Sequence, residues 1–140
     1  MDASVWRAGQ AEVLGLLARL MAQASNAPDS GGVRAAGETL GALVGALNAH
    51  VERERTQLYP ALGAVDDPDL RAAITEGAAE LGAVRAALLT FASHWTPAAI
   101  TADSGRFACA AAVVAETVRR GLERENAGLS PLVDRMARVA

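Results

Sequence analysis

The residues of this chain best suited to chemistry are one histidine and two glutamates on otherwise apolar helical stripes: His50, Glu54 and Glu125. His50 and Glu54 are four residues apart, so on a helix they share one face at roughly 5–6 Å. A carboxylate directed into an apolar interior is costly unless it is paired, protonated or bound to a metal. Two carboxylates meeting beside an imidazole can share a proton, pair with the ring, or hold a divalent cation with water in the open position. Gln10, on a further stripe, can donate to or accept from the same layer.

Four helical segments are needed to bring these residues together. The first carries Trp6, Gln10, Val13, Leu17, Leu20 and Ala24 at alternating steps of four and three, one stripe of a helix packed on neighbours. The breaker-rich run Ser25 to Gly32 ends it. The second stripe reads Ala36, Leu40, Leu43, Leu47, His50 and Glu54, and Pro60 disturbs the helix near its end. Asp67 and Pro68 form a cap and a first turn for the third stripe, Ile74, Gly77, Leu81, Val84, Leu88, Phe91 and Trp95. Thr96-Pro97 stops that helix, and a loop of about ten residues is expected before a fourth start near Ser104. The fourth stripe is Phe107, Ala111, Val114, Val118, Gly121 and Glu125, with Leu129 and Leu132 beyond. Long helices with short links predict an all-α chain, an antiparallel up-down four-helix bundle forming one domain over residues 1–140.

The segment from His50 to Pro60 matches that from Gly121 to Pro131 at an offset of 71 residues. Identical pairs are Glu52 with Glu123, Arg53 with Arg124, Glu54 with Glu125, Leu58 with Leu129 and Pro60 with Pro131. The same offset lays Val13 on Val84, Leu17 on Leu88 and Leu20 on Phe91, so an internal two-fold repeat relates both helix pairs. Six inward positions become equivalent: Gln10, His50, Glu54, Leu81, Gly121 and Glu125.

These residues carry a resemblance. The chain resembles the hemerythrin-like, or HHE cation-binding, domains, helical bundles that hold a non-haem di-iron centre. In that family the first and third helices each supply a His, and the second and fourth each carry His-x-x-x-Glu followed by an apolar-Pro end. His50-Val-Glu-Arg-Glu54 with Leu58-Tyr59-Pro60 is similar to the helix-two motif. Gly121-Leu-Glu-Arg-Glu125 with Leu129-Ser130-Pro131 matches helix four with Gly in place of His. Gln10 stands at the helix-one His position and Leu81 at the helix-three position. Of six ligands the resemblance implies, His50, Glu54 and Glu125 remain. Leu81 and Gly121 cannot ligate, and Gln10 is a poor ligand. Gly121 is also expected to leave space where a ring would stand, large enough to consider a small ligand there.

The resemblance implies oxygen binding, iron storage, or sensing of oxygen, iron, nitric oxide or redox state, all dependent on His-rich ligation of two irons. With the degraded set, the expectation is a bundle that has lost the di-iron site, holds no cofactor, and serves as a regulatory or interaction module rather than an enzyme. The alternative is a mononuclear sensor or binding protein in which His50, Glu54 and Glu125 hold a single divalent ion, iron or zinc, with Gln10 as a weak neighbour.

Composition narrows the rest. A formal charge of -3, with all 13 basic residues Arg, offers no basic face for nucleic acid. No apolar run approaches the ~20 residues that span a bilayer, and the start lacks a signal peptide's pattern, so a cytoplasmic chain without membrane partners is expected. Cys109 is the only cysteine and is read as a buried inert thiol in a small-residue run. The Ala-rich stretch 108–112 would allow a homodimer, and nothing in the sequence names a protein partner. His94 reads as a surface or capping residue, Trp6 and Trp95 as packing, and Glu52, Arg53, Glu123 and Arg124 as a solvated shoulder. Tyr59 has a hydroxyl that could reach the cluster.

Overall fold

The computed structural model describes residues 1–26, 29–64 and 66–139. The Ala27-Pro28 part of the expected first break lies outside them. Every element is helical: α1 (Ala3–Ser25), α2 (Ser30–Arg53), a π-helical turn (Glu54–Leu58), α3 (Tyr59–Gly63), α4 (Pro68–His94), α5 (Pro97–Ala102) and α6 (Ser104–Val139). No described helix is long and apolar enough to cross a membrane.

Local chemistry sets the starts. Asp2 caps α1 by accepting from Ser4 N at 2.9 Å, and Asp29 caps α2 by accepting from Gly32 N at 2.8 Å. Asp67 accepts from Asp69 N at 3.0 Å with Pro68 in the first turn of α4, as its sequence predicts. Two expectations are corrected. Ser30, Gly31 and Gly32 are the first turn of α2 and not part of a break, because Asp29 satisfies the free N–H groups there. The expected loop after Trp95 contains α5: Thr96 caps Ala99 N at 3.3 Å and Pro97 fixes φ for the first turn, so the pair starts a short helix as well as ending α4.

The π turn lies just before Pro60, whereas Pro131 sits inside α6 without one. Proline has no N–H to donate, and its ring would collide with the carbonyl four residues back. Before Pro60 the helix widens, and Tyr59 N donates to Glu54 O, five residues back. Arg53, Glu54, Leu58 and Tyr59 all keep helical φ and ψ, so α2, the turn and α3 form one continuous run.

The long helices form an all-α bundle: α1 packs on α2 and α6, and α4 packs on α2 and α6. Its apolar interior is in two parts. The larger includes Val13, Leu17, Leu43, Leu47, Leu81, Val84, Val118 and Leu122, and ends on the stacked rings of Phe91 and Phe107 with Trp95 edge-on to Phe107. The smaller holds Trp6, Leu58, Leu62, Leu70, Leu129 and Val133. Between them, one turn deep, lie Gln10 of α1, His50 of α2, Glu54 and Glu125 of α6. Cys109, expected inside, is exposed, because it lies on the side of α6 away from the Phe107–Ala111–Val114 stripe.

Candidate metal centre

The stripes that bury Trp6, Val13 and Leu17 on α1 and Leu43 and Leu47 on α2 necessarily carry Gln10 and His50 inward with them. Glu54 is fully buried, His50 is 2% exposed, Glu125 4% and Gln10 7%. The structure thus brings together all four polar residues that the sequence singled out. One ligating atom from each of His50, Glu54 and Glu125 lies within 4.8 Å of the others.

The contacts are directional. His50 Nε2 lies within hydrogen-bond distance of Glu125 Oε1 at 3.2 Å, and Gln10 Nε2 donates to the same oxygen at 3.1 Å. Glu54 Oε1 lies 2.6 Å from His50 Nε2, an ion-pair contact. Apart from that ion-pair contact Glu54 Oε1 has no hydrogen-bond partner, and Glu125 Oε2 has none. Tyr59 donates its hydroxyl to Glu54 Oε2 at 2.9 Å. In an α-helix, residues five apart diverge by roughly 140° and could not meet. The π turn closes that angle and so builds Tyr59 into the site.

Electrostatics follow from burial. Desolvation works against a charged His50, but its hydrogen bonds and charge contacts with Glu125 and Glu54 prevail and raise it to about 9. Desolvation raises the Glu125 carboxyl to about 7, against the pull of His50 and with the nearby Glu54 carboxylate adding to the rise. The Tyr59 hydroxyl is pushed up by burial and by the charge of Glu54, and is a committed donor.

Two glycines set the shape of the cluster. A Cβ on Gly9 would lie 2.7 Å from His50 Nδ1, so only glycine lets α1 approach the ring this closely. A Cβ on Gly121 would overlap Val84 Cγ2 outright. The expectation of open space at Gly121 is therefore corrected: Val84 of α4 fills it, and no small ligand has room there. Leu81 is buried in the larger apolar part, away from any ligating role.

Among the described residues, His50, Glu54 and Glu125 form a group that could hold a metal ion. One nitrogen and two carboxylates converge there, and Glu125 Oε2 lacks a hydrogen bond. Three protein donors with water completing the shell is an arrangement that a divalent ion can take.

The other sequence candidates lie elsewhere. His94 is exposed at the end of α4 against Trp95, Trp6 and Trp95 are buried in the two apolar parts, and Glu52, Glu123 and Arg124 face solvent beside a half-buried Arg53. The largest groove, about 1030 Å³ between Val33–Gly41 and Ala92–Ala102, shares no lining residue with the cluster. Gly9 and Val84 are the contributors that sequence reasoning missed. Both act across a helix interface, so periodicity within one helix, which places Val84 inward, does not show what either one meets.

The family model described as the hemerythrin HHE cation binding domain matches residues 2–133 of the 140. No curated protein and no solved structure matches the chain. The chain belongs to the hemerythrin HHE cation-binding family.

Proposed function

We propose that this member of the hemerythrin HHE cation-binding family keeps one part of a two-ion site and binds a single divalent cation, iron or zinc, at His50, Glu54 and Glu125. The observation that carries this reading is the convergence of His50, Glu54 and Glu125, each with a ligating atom within 4.8 Å of the others, together with the buried Glu125 Oε2, which has no hydrogen-bond partner. A buried acceptor left unmatched costs about 1–3 kcal/mol, more when charged, and a cation would supply the missing charge. Gln10 and Tyr59 would hold the outer oxygens and turn the free ones inward, the usual work of residues behind metal ligands. Loss of the second ion is supported by Leu81 and by Val84 standing where a fourth-helix ring would project. An antiparallel up-down order with a two-fold repeat fits this reading, since α1 and α4 each pack on both α2 and α6. On this reading the chain binds and reports on an ion rather than turning over a substrate.

A second reading is a self-paired polar layer inside a regulatory or interaction module that binds no ion. The hydrogen bonds of Gln10 and His50 to Glu125 and of Tyr59 to Glu54 favour it. Elemental analysis and zinc or cobalt titration separate the two. The cation reading expects one ion per chain, abolished by His50→Ala and by Glu54→Ala. No binding of iron, zinc, cobalt or manganese would leave the self-paired layer standing. Two irons per chain with an oxo-bridge absorption band would overturn both.

A further inference from the structure

At the level of the cluster, α1 contributes Gln10, α2 and its π turn His50 and Glu54, and α6 Glu125. The stripe of α4 offers Gly77 there, between Leu70 in the smaller apolar part and Leu81 in the larger. Glycine has no side chain to close the layer, and a cleft of about 270 Å³ opens between α4 and α6. Its walls include Gly77 and Gly128, and Glu125 is its one fully enclosed lining charge. Glu76 and Arg124 are exposed and Glu80 half-buried, so these three form the mouth. Arg124 of α6 donates to Glu80 of α4 at 2.5 Å, spanning that mouth. The volume holds several waters at roughly 30 Å³ each, enough for a partly hydrated ion.

We propose that the cleft between α4 and α6 is the passage by which a divalent cation reaches the buried carboxylates, with the Arg124–Glu80 ion pair across its mouth. The inference rests on the cation reading above. Two observations beyond the acidic mouth point inward: Glu125 lines the cleft, and its buried Oε2 has no hydrogen-bond partner. The neighbouring cleft between α1 and α6, about 380 Å³, reaches Gln10 instead. There an amide that donates to Glu125 stands between solvent and the carboxylate, and its N–H groups oppose a cation. The acidic mouth of the α4–α6 cleft concentrates cations, and Arg124 offsets part of that field.

Stopped-flow uptake of cobalt(II) by the full chain, followed by its visible absorption, tests this, with release measured by a chelator. Nothing lies within 4 Å of a Cβ on Gly128, and a Cβ on Gly77 would make ordinary contact with Leu129 Cδ1 at 3.8 Å. Gly128→Leu and Gly77→Leu therefore fill the cleft, and each also removes a helix-interior glycine, which favours folding. Both should slow association and release together by about tenfold, leaving Kd within about twofold. Ala11→Leu, in the α1–α6 cleft, should leave both rates unchanged. Arg124→Gln should speed loading, more at low salt than at high. Gly128→Leu loading at the wild-type rate, or Ala11→Leu slowing it equally, overturns the passage while cation binding stands. A wild-type chain that takes up no cobalt at equilibrium overturns the cation reading and the passage with it.

Discussion

Replacing Gly121 by alanine should destabilise the chain, although it removes a glycine from the interior of a 36-residue helix. Helix propensity alone favours the change by about 1 kcal/mol. Against it, the new Cβ overlaps Val84 Cγ2, and it lies 3.5 Å from Val84 Cβ and 3.7 Å from Val84 Cγ1. Ordinary carbon contacts need about 3.5–4.0 Å, so the first overlap must open by roughly 1 Å. Valine in a helix has one strongly preferred χ1 and cannot turn the methyl away cheaply. Val84 is also buried, which prevents α4 from simply shifting outward. Overpacking of this kind costs about 1–3 kcal/mol, so after the propensity gain the net loss should be up to about 2 kcal/mol. In a Val84→Ala background the obstructing methyl is gone. Gly121→Ala should then stabilise, by its propensity and by refilling part of the cavity. The two changes should couple by about 1–3 kcal/mol in a double-mutant cycle. Urea unfolding of the four chains at constant m reads this directly. Destabilisation by the same amount in both backgrounds would refute the argument that Val84 fills the space beside Gly121.

Gly9→Ala should push the His50 ring by several tenths of an ångström or more, because its Cβ would stand 2.7 Å from Nδ1. Cation affinity measured by zinc titration should fall about tenfold or more without any donor being deleted. Tyr59→Phe leaves Glu54 Oε2 without its hydrogen bond and should weaken zinc binding roughly 10–100-fold, while helix content by circular dichroism is retained. For pH, the sign is set by two raised values. His50 goes from 6.5 to about 9 in the fold, so its stabilisation is full below 6.5 and is lost as pH rises through about 9. Glu125 goes from 4.5 to about 7, so the folded state also holds its proton, and that contribution is full below 4.5 and lost by about 7. Chelator-treated protein should therefore lose urea stability between pH 5 and 9, at up to about 1.4 kcal/mol per pH unit for each proton. Zinc binding needs a neutral His50, so affinity should rise over the same range, with proton release visible by calorimetry in buffers of different ionisation enthalpy. Stability that climbs with pH in chelated protein would contradict the assigned contacts.

The cluster was legible because each signal lay within one helix or in the repeat. His50 and Glu54 announce themselves by a four-residue step on an apolar stripe, and Glu125 by its equivalence to Glu54. Gln10 shares the stripe of Trp6 and Val13, and all three are buried. What was hidden depends on neighbours. That Val84 fills the space beside Gly121, or that Gly9 meets His50, follows only when two helices are placed side by side. The π turn was visible as a disturbance at Pro60, but not its outcome, because widening the helix competes with kinking it. Thr96-Pro97 was read as a stop when the same residues also start a helix. Cys109 was misplaced by the small residues around it, which blur the contrast between the two sides of α6. Its offset from Phe107 and Ala111 pointed outward.

The polar layer has a mechanical consequence. It leaves the Trp6–Leu58–Leu129 end joined to the rest of the interior through hydrogen bonds and charge contacts, not through continuous apolar packing. Such contacts depend on protonation state, so the seam between the two blocks is chemically adjustable. Amide exchange at residues 58–63 and 129–136 would then track the state of His50, while exchange near Leu43 and Leu88 would not. The bundle has a stiff end and a tunable one, and the tunable end is where an ion's arrival would first be felt.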